Sequence, residues 1–515
     1  MRKRVGRAGR LIYAFAYFLS LFIVLACTAS RAGAQPKAPA TQVASVSPSV
    51  VIYLIDTLRA DRVGVYGCKD GLTPKLDALA AECVTFDQAY SAAPWTLPSI
   101  ASLFTSTFLT EHGLVTTSSV QPEDLKTLGQ ILATRGYRSA VFTANAWSNW
   151  IADAKRGYPR CFVQKPVYDW NRWQEWFRRE AKPPFHAYVH TIEPHIPYSA
   201  PLEFINRFGP ITEEERKAAN ATIRNYTKNR LHLDDQREST LSHFSEELAT
   251  REAEAMAPLP AMSTTIRLLY DANVAWADEN LGRFVQYLKD QGRWDDCLFV
   301  LLSDHGEEFG EHGGWMHGQS LHEELLRVPL LIHFPRGEFA GTRMKEIASL
   351  VDVMPTILDY MGCRAEQAEC RGRNWLPVLR GETIASDSNA ARVVAVRHNT
   401  SRSDHLHRKT RGTLNIAVRE GPWKAIWNVD LDSLELYHLQ RDPREQANLA
   451  SADEETAKRL LTVAKRFMKN EKRRAPGRVA EKLDRKSEEN LRELGYLGDE
   501  TDDEDDEKGK ERKRP

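Results

Sequence analysis

Four short polar runs carry the residue types that metal-assisted ester hydrolysis needs. Asp56 closes one apolar run, the pair Asp304 and His305 closes another, His190 and His195 bracket Glu193, and His317 falls in Trp315-Met316-His317-Gly318. A hard divalent cation takes carboxylate oxygen or imidazole nitrogen, delivered to one point from separate strands. Asp56, Asp304 and His305 are the candidate set. Neighbours on a strand face opposite ways, so Asp304 and His305 reach one ion only if the strand has already broken into a turn, which Gly306 permits. Each also has a plainer reading, Asp56 as a helix cap and the Asp-His pair as a surface ion pair, and the residues alone leave both open.

The run Ala93-Pro94-Trp95-Thr96-Leu97-Pro98-Ser99 offers a nucleophile. Pro98 suits an early helical position, which puts the Thr96 hydroxyl over the unpaired N–H groups of a helix start, where the dipole favours a sulfate or phosphate oxyanion. A cation beside that hydroxyl lowers its pKa and turns a cap into a nucleophile. His195, stiffened by Pro194 and Pro197, and His317 are candidates to offset charge on the transferred group or to protonate the leaving oxygen. The plainer alternatives are a threonine that only caps and histidines that are satisfied polar residues. His312 and His322 rank below these as structural partners. The spacing of His190, His195 and His317 leaves room for a second ion but shows no convergence, so one ion is expected, of calcium, magnesium, manganese or zinc.

These residues need strands to carry them. Apolar, β-branched runs at 50–55, 139–143, 187–190 and 298–302 predict buried strands, and 73–81, 96–105 and 125–135 predict helices between them. Strands alternating with helices predict a large three-layer α/β domain with a central, mostly parallel sheet covered on both faces. Asp56, His190 and Asp304-His305 then all sit at carboxyl ends of strands, where open α/β sheets place ligands. The stretch 205–258 is strongly polar and reads as an inserted helical excursion, while Val274, Ala277, Leu281, Phe284 and Leu288 mark an amphipathic helix over 271–288. Strand-like runs at 390–397, 413–418, 423–427 and 435–439, then a helix over 453–468, predict a smaller C-terminal α+β subdomain with a short antiparallel sheet.

The expected organisation is a signal peptide or lipoprotein signal over 1–34, a linker over 35–47, and a catalytic domain over 48–377 with the insertion at 205–258. The C-terminal subdomain follows over 378–470, then a helical extension over 471–499 and a charged, disordered tail over 500–515. The N-terminal reading rests on Arg2, Lys3, Arg4, Arg7 and Arg10, an apolar run to Ala26, and the small-residue site Ala32-Gly33-Ala34. Val24-Leu25-Ala26-Cys27 offers lipid attachment instead, and an uncleaved membrane anchor is the third mode. All three imply export, to the periplasm, the medium or the cell envelope. With 70 basic and 70 acidic residues the formal net charge is zero, which leaves no electrostatic footprint for nucleic acid. The seven cysteines lack Cys-x-x-Cys spacing, which argues against a thiolate metal cluster, and Cys363 and Cys370 are spaced to close a short disulfide loop.

Together the motifs resemble the sulfatase family, within the alkaline-phosphatase-like hydrolases. The resemblance is carried by Ile55-Asp56-Thr57-Leu58-Arg59-Ala60-Asp61, Thr73-Pro74, the Thr96 run, Glu193-Pro194-His195, and Ser303-Asp304-His305-Gly306-Glu307-Glu308. It continues through Glu323-Glu324-Leu325-Leu326-Arg327-Val328-Pro329 and Glu435-Leu436-Tyr437-His438-Leu439, covering residues 50–455. It implies that Asp56, Asp304 and His305 hold the metal, that Thr96 is the nucleophile and that His195 contacts the transferred group. His317 takes the place of a basic residue that assists substrate binding or departure. Asn145 lies near where sulfatases place a lysine-histidine pair and, with His190, is a further substrate-binding candidate.

The chain departs from the family pattern at three positions. Sulfatases carry Cys or Ser where this chain has Thr96, followed by x-Pro-Ser-Arg, and convert it to formylglycine. Threonine cannot yield that aldehyde, Ile100 replaces the arginine, and Thr57 replaces the usual second aspartate. A direct threonine nucleophile resembles the phosphodiesterase and phosphotransferase branches instead. The expectation is a metal-dependent hydrolase of sulfate or phosphate esters, acting through unmodified Thr96 on a small molecule, glycan or lipid. Two alternatives stand beside it: a transferase that moves a phosphoryl-linked headgroup to an envelope acceptor, and a non-catalytic binder of sulfated or phosphorylated glycans.

Overall fold

The strand Ser49–Ile55 (β1) is buried along its whole length, as an apolar run must be when a sheet is covered on both faces. Its residues divide with the period of two: Val51, Tyr53 and Ile55 enter one core, Val50, Ile52 and Leu54 the other. Each fully buried aliphatic side chain of this kind contributes about 1.5–3 kcal/mol, so β1 belongs at the sheet's centre and not at its edge. The computed structural model describes residues 47–470 apart from 116–118, 152, 164–169, 240–253, 255, 364–365, 367–368, 383–390 and 399–413, and beyond 470 only Arg485 and Glu489. The expected targeting segment, the linker before Ser47, the charged tail and nearly all of the helical extension lie outside the described residues.

The remaining strands are Val84–Tyr90 (β2), Arg138–Thr143 (β3), Arg160–Val163 (β4), Phe185–Thr191 (β5), Cys297–Leu302 (β6), Glu308–Phe309 (β7), Trp315–Met316 (β8), Leu330–His333 (β9), Arg343–Ser349 (β10), Arg392–His398 (β11), Leu414–Glu420 (β12), Trp423–Asn428 (β13) and Ser433–His438 (β14). The central sheet has eight strands in the order β10-β2-β9-β6-β1-β5-β3-β4. β1 runs parallel to both β5 and β6, and β3 runs parallel to both β5 and β4. β9 alone is antiparallel, to β2 and to β6. The helix Pro258–Asp290 covers one face through Leu269, Phe284 and Leu288, while Thr96–Thr105 and Val353–Tyr360 cover the other. The small sheet, β11-β12-β13-β14, is antiparallel throughout and is covered by the helix Glu454–Asn470 through Leu460 and Ala464.

The α/β class and the small antiparallel sheet agree with the expectation. β2, β4, β9 and β10 were not foreseen, and their residues show why, β4 being only four residues long. Asp87 and Gln88 interrupt the apolar run of β2, β9 has only four residues, and β10 carries Arg343, Lys345 and Glu346 at the sheet's edge. The helix expected over 271–288 starts thirteen residues earlier, at Pro258, because its first turns pack on the inserted helix Glu213–Ser239, through Leu259 and Ile266 against Ala219 and Ile223. Cys363 and Cys370 are both free thiols, so the expected loop-closing disulfide is absent. Cys363 is instead buried, its Sγ 3.8 Å from the Met361 carbonyl. Among the described residues, no helix is long and apolar enough to cross a membrane.

Candidate functional site

The carboxyl ends of β1, β5 and β6 lie side by side, and each delivers one of the polar runs to the same place. Asp56 follows β1 directly, its N–H bonded to the Thr191 carbonyl at the end of β5. The next residue, Thr57, has φ of 57°, a left-handed conformation that is a genuine outlier for a β-branched side chain. Three bonds hold it there. Its N–H donates to Asp304 Oδ1 at 3.2 Å, its carbonyl accepts from Tyr270 Oη at 2.7 Å, and the Leu58 N–H behind it donates to Ser303 Oγ at 2.8 Å.

Beyond β6 the chain turns at Ser303, so that Asp304 and His305 both face inward. Ser99 Oγ donates to the Asp304 carbonyl at 2.7 Å, and Ser91 Oγ bonds to the same oxygen. Gly306 does not adopt a positive φ. It is glycine because a Cβ there would lie 1.9 Å from the Glu324 carbonyl oxygen, so close packing, not turn geometry, excludes a side chain.

Asp56 and Asp304 are fully buried, and each has one satisfied and one unsatisfied oxygen. Asp56 Oδ2 accepts from Asn145 Nδ2 at 2.8 Å and lies 3.0 Å from His190 Nε2, while Oδ1 has no hydrogen-bond partner among the described residues. Asp304 Oδ1 accepts the N–H groups of Thr57 and His305, while Oδ2 is likewise without a hydrogen-bond partner. His305 donates Nδ1–H to the Gly306 carbonyl at 2.8 Å, which turns the lone pair of Nε2 toward the centre. That Nε2 lies 3.4 Å from Asp304 Oδ2, 3.8 Å from Asp56 Oδ1 and 3.2 Å from Thr96 Oγ1.

The electrostatics follow from burial. Burial and the neighbouring Asp56 push Asp304 up to about 7, although His305 and a Thr96 hydrogen bond oppose them. Burial also acts to raise Asp56, but His195, His190 and His305 more than offset it and hold this carboxyl below its ordinary range. Burial lowers His195 and His305. Two buried acidic side chains with open oxygens, beside imidazoles whose charged form burial disfavours, make a cavity that favours a cation. A divalent ion fits this donor set, and Asp56, His190 and Asp304 each offer a ligand atom within 4.8 Å of the others.

The other predicted residues gather around this centre. Thr96 begins a helix whose N-cap, Trp95, makes no side-chain capping bond, so no side-chain cap occupies its first N–H groups. The His317 ring is centred 4.6 Å from that of His305 and 5.0 Å from that of His195. His195 Nδ1 is tied to the Ile196 carbonyl at 2.5 Å. His190 is spent on Asp56 at one nitrogen and on Ser148 and Tyr188 at the other.

Three further residues were not singled out from the sequence. Glu307 is fully buried, lies 2.9 Å from His317 Nδ1 and is raised to about 7 by burial. Its place in the run from Ser303 to Glu308 was the available signal. Tyr270, which holds Thr57, and Ser91, which holds Asp304, carried no local signal, because only the fold brings them there.

The sulfatase family model matches residues 48–363, and a model for the C-terminal part of N-sulphoglucosamine sulphohydrolase matches 310–476. An N-acetylglucosamine-6-O-sulfatase of Bacteroides thetaiotaomicron is 24% identical over 501 residues, covering 84% of this chain and 87% of that protein. A protein solved with its substrate D-glucosamine-2-N,6-O-disulfate superposes with a TM-score of 0.60 at 21% identity, over 82% of this chain and 99% of the other. The phosphonate monoester hydrolase of Agrobacterium radiobacter does so with a TM-score of 0.58 at 20% identity, over 82% and 95%. With a matching family model over more than half its length and the same sheet architecture, this chain belongs to the sulfatase family of ester hydrolases.

Proposed function

We propose that the chain is a divalent-metal-dependent hydrolase of phosphate or sulfate esters in which Thr96, chemically unmodified, is the nucleophile. One observation carries the reading. Thr96 Oγ1 lies 3.2 Å from His305 Nε2 at the start of a helix without a side-chain cap, beside two buried carboxylates that each keep an oxygen without a hydrogen-bond partner. Asp56, Asp304 and His305 would hold the ion, which when bound acidifies the hydroxyl and offsets charge on the transferred group. The hydroxyl oxygen gives up its proton to solvent and forms the new bond to phosphorus or sulfur while the bond to the leaving alcohol breaks in line. The helix N–H groups receive the non-bridging oxygens. His317, braced by Glu307, protonates the departing oxygen, and His195 contacts the transferred group. Asn145 and His190 act through Asp56, whose Oδ2 they hold.

A threonyl ester must be cleaved by water or by another alcohol, whereas a formylglycine hydrate can expel sulfate by re-forming its aldehyde. This favours phosphodiesters and phosphonate monoesters over simple sulfates. The similarity to the Bacteroides N-acetylglucosamine-6-O-sulfatase supports a glycan carrier, and the basic, apolar start of the chain supports export. Elemental analysis of the purified full chain is expected to show one divalent ion fewer in Asp56→Ala and Asp304→Ala than in wild type. Full retention in both would defeat the site. Parallel assays with an aryl phosphodiester, a phosphonate monoester and an aryl sulfate should show turnover of the first two. Tight binding without turnover of any would establish the non-catalytic alternative.

A further inference from the structure

A second group of ligand-type side chains lies outside the catalytic centre, where the loop after β6 meets the last strand of the small sheet. His312, His322 and Glu324 each offer a ligand atom, and the three atoms lie within 4.8 Å of one another. Both imidazoles are set up as ligands are. His312 Nε2 lies 3.2 Å from the Glu445 carbonyl oxygen, and His322 Nε2 lies 3.2 Å from Glu435 Oε2. His322 therefore donates one N–H to the Glu435 carboxylate and keeps Nδ1 for something else, whereas His312 uses Nδ1 on Glu324 as well. Metal-ligating histidines nearly always donate the second N–H in this way, which fixes the tautomer and raises the basicity of the ligating nitrogen.

Two facts say that a cation belongs there. His322 Nδ1 is buried and has no hydrogen-bond partner among the described residues. His312 Nδ1 lies 2.6 Å from Glu324 Oε1, and although burial opposes it this carboxylate raises the imidazole to about 9, so the pair takes up a positive charge: a proton without metal, and the ion in its place when one binds. The surroundings are acidic as well. Glu308 accepts the N–H groups of His312 and Gly314, and burial together with the nearby Glu324 pushes its carboxyl up.

We propose that His312, His322 and Glu324 bind a second divalent ion, of zinc type, with water completing a four-coordinate site. Two imidazoles and one carboxylate suit zinc and suit calcium or magnesium poorly. The two rings stack with centroids 3.7 Å apart, so they must tilt for both lone pairs to converge, and the terminal torsion of histidine is broad enough to allow it. The ion's role is structural. The Gly306 and Glu307 N–H groups donate to the carbonyls of Leu325 and Glu324, which ties this site to the turn that carries His305. The loop between the two ties carries His317, so an ion here fixes that loop against the small sheet.

The experiment separates this ion from the catalytic one. Full-length protein carrying Asp56→Ala is stripped with chelator and titrated with zinc chloride by calorimetry, and the zinc-loaded form is examined by X-ray absorption at the zinc edge. One zinc per chain, with scattering from two imidazoles, is expected, and adding His322→Gln should weaken binding at least tenfold. No stoichiometric zinc uptake would overturn the proposal, as would uptake that shows no imidazole scattering or is unchanged by His322→Gln. Should the glutamine variant fail to fold, Glu324→Gln in the same Asp56→Ala background decides, with the same weakening of zinc binding expected and unchanged binding overturning the proposal.

Discussion

Buried charge at the carboxyl ends of β1 and β6 is left incomplete, whereas buried charge at the seam with the small sheet is met by an opposite charge. At the first place Asp56 and Asp304 each keep an oxygen without a hydrogen-bond partner among the described residues, and Asp304 is pushed up to about 7 by burial and by Asp56. At the second, fully buried Lys424 lies 2.9 Å from both Glu323 and Glu445. Burial acts to lower Lys424, but the two carboxylates more than offset it and hold the ammonium charged. Asp352 is likewise completed by a two-pronged bond from Arg392 at 2.7 Å and by the Trp375 indole. An unsatisfied buried polar group costs about 1–3 kcal/mol and more if charged. A molecule bears that cost where a ligand supplies the complement, and completes the network where the charge serves only to join two parts.

Removing the proposed nucleophile should give the largest effect, and it should appear in rate alone. Thr96→Ala is expected to lower kcat about a thousandfold or more while leaving the urea midpoint nearly unchanged. Thr96→Ser should keep part of the rate. Peptide mass spectrometry should find residue 96 as intact threonine, and rapid quenching with an activated phosphodiester should add the phosphoryl fragment to that peptide. If the alanine variant turns over as fast as wild type, the attacker is not Thr96.

The seam should behave in the opposite way. Lys424→Met strands Glu323 and Glu445 as unpaired buried carboxylates, and removal of one partner from such a group costs about 3–5 kcal/mol. Urea denaturation is expected to show that loss, with turnover per folded molecule within a few-fold of wild type. Asp304→Asn makes the converse test, because it removes a carboxylate that burial and Asp56 already disfavour. In chelator-treated protein it should leave stability equal or higher. A large destabilisation there would show that this charge too is architectural.

Asp278 lies between the two cases, hydrogen-bonded but not ion-paired. It accepts the N–H groups of Lys75 and Leu76 at 2.9 and 2.8 Å at the start of a short helix, and burial pushes it up to about 7. With its folded pKa above the unfolded value, the folded chain keeps a proton that the unfolded chain gives up. Stability should therefore fall as pH rises from about 4 to 7, by an amount on the order of a few kcal/mol. Asp278→Asn should flatten that slope in denaturation curves taken across the window, and an unchanged slope would assign it to other groups.

The sequence exposed the incomplete side far better than the complete one. Asp56, Asp304 and His305 stood out as candidates because each follows an apolar strand run, whereas Thr96 and His195 stood out by the prolines around them and His317 by its short polar run. The parallel core was legible from its apolar stretches, which run almost unbroken in β1 and β6 and fill the middle of β3 and β5. Lys424, Arg392 and Asp352 carry no such mark. Each is an ordinary charged residue in sequence, and only the packing of two sheets makes it a buried partner. Tyr270 was hidden in the same way: its hydroxyl holds Thr57 across 213 residues. The chain's local pattern records where polar groups end a strand, but not which distant groups neutralise them.

The smallest expected effect concerns backbone strain on the functional side. Thr57 sits at φ of 57° with its hydroxyl buried and without a hydrogen-bond partner among the described residues. A left-handed conformation costs a non-glycine residue about 1–2 kcal/mol, and a β-branched one is among the least suited to it. Glycine has no such penalty but loses about 0.5–1 kcal/mol of chain entropy on folding. Thr57→Gly also removes the buried hydroxyl, so the net should be a stabilisation of about 1 kcal/mol. The contacts that align the site are made by the backbone of this residue, through its N–H to Asp304 and its carbonyl to Tyr270, and glycine retains both. Turnover should accordingly stay within a few-fold while the urea midpoint rises. A gain in stability accompanied by a hundredfold loss of rate would show instead that the Thr57 hydroxyl meets the ion or the substrate, and that its missing partner is a ligand.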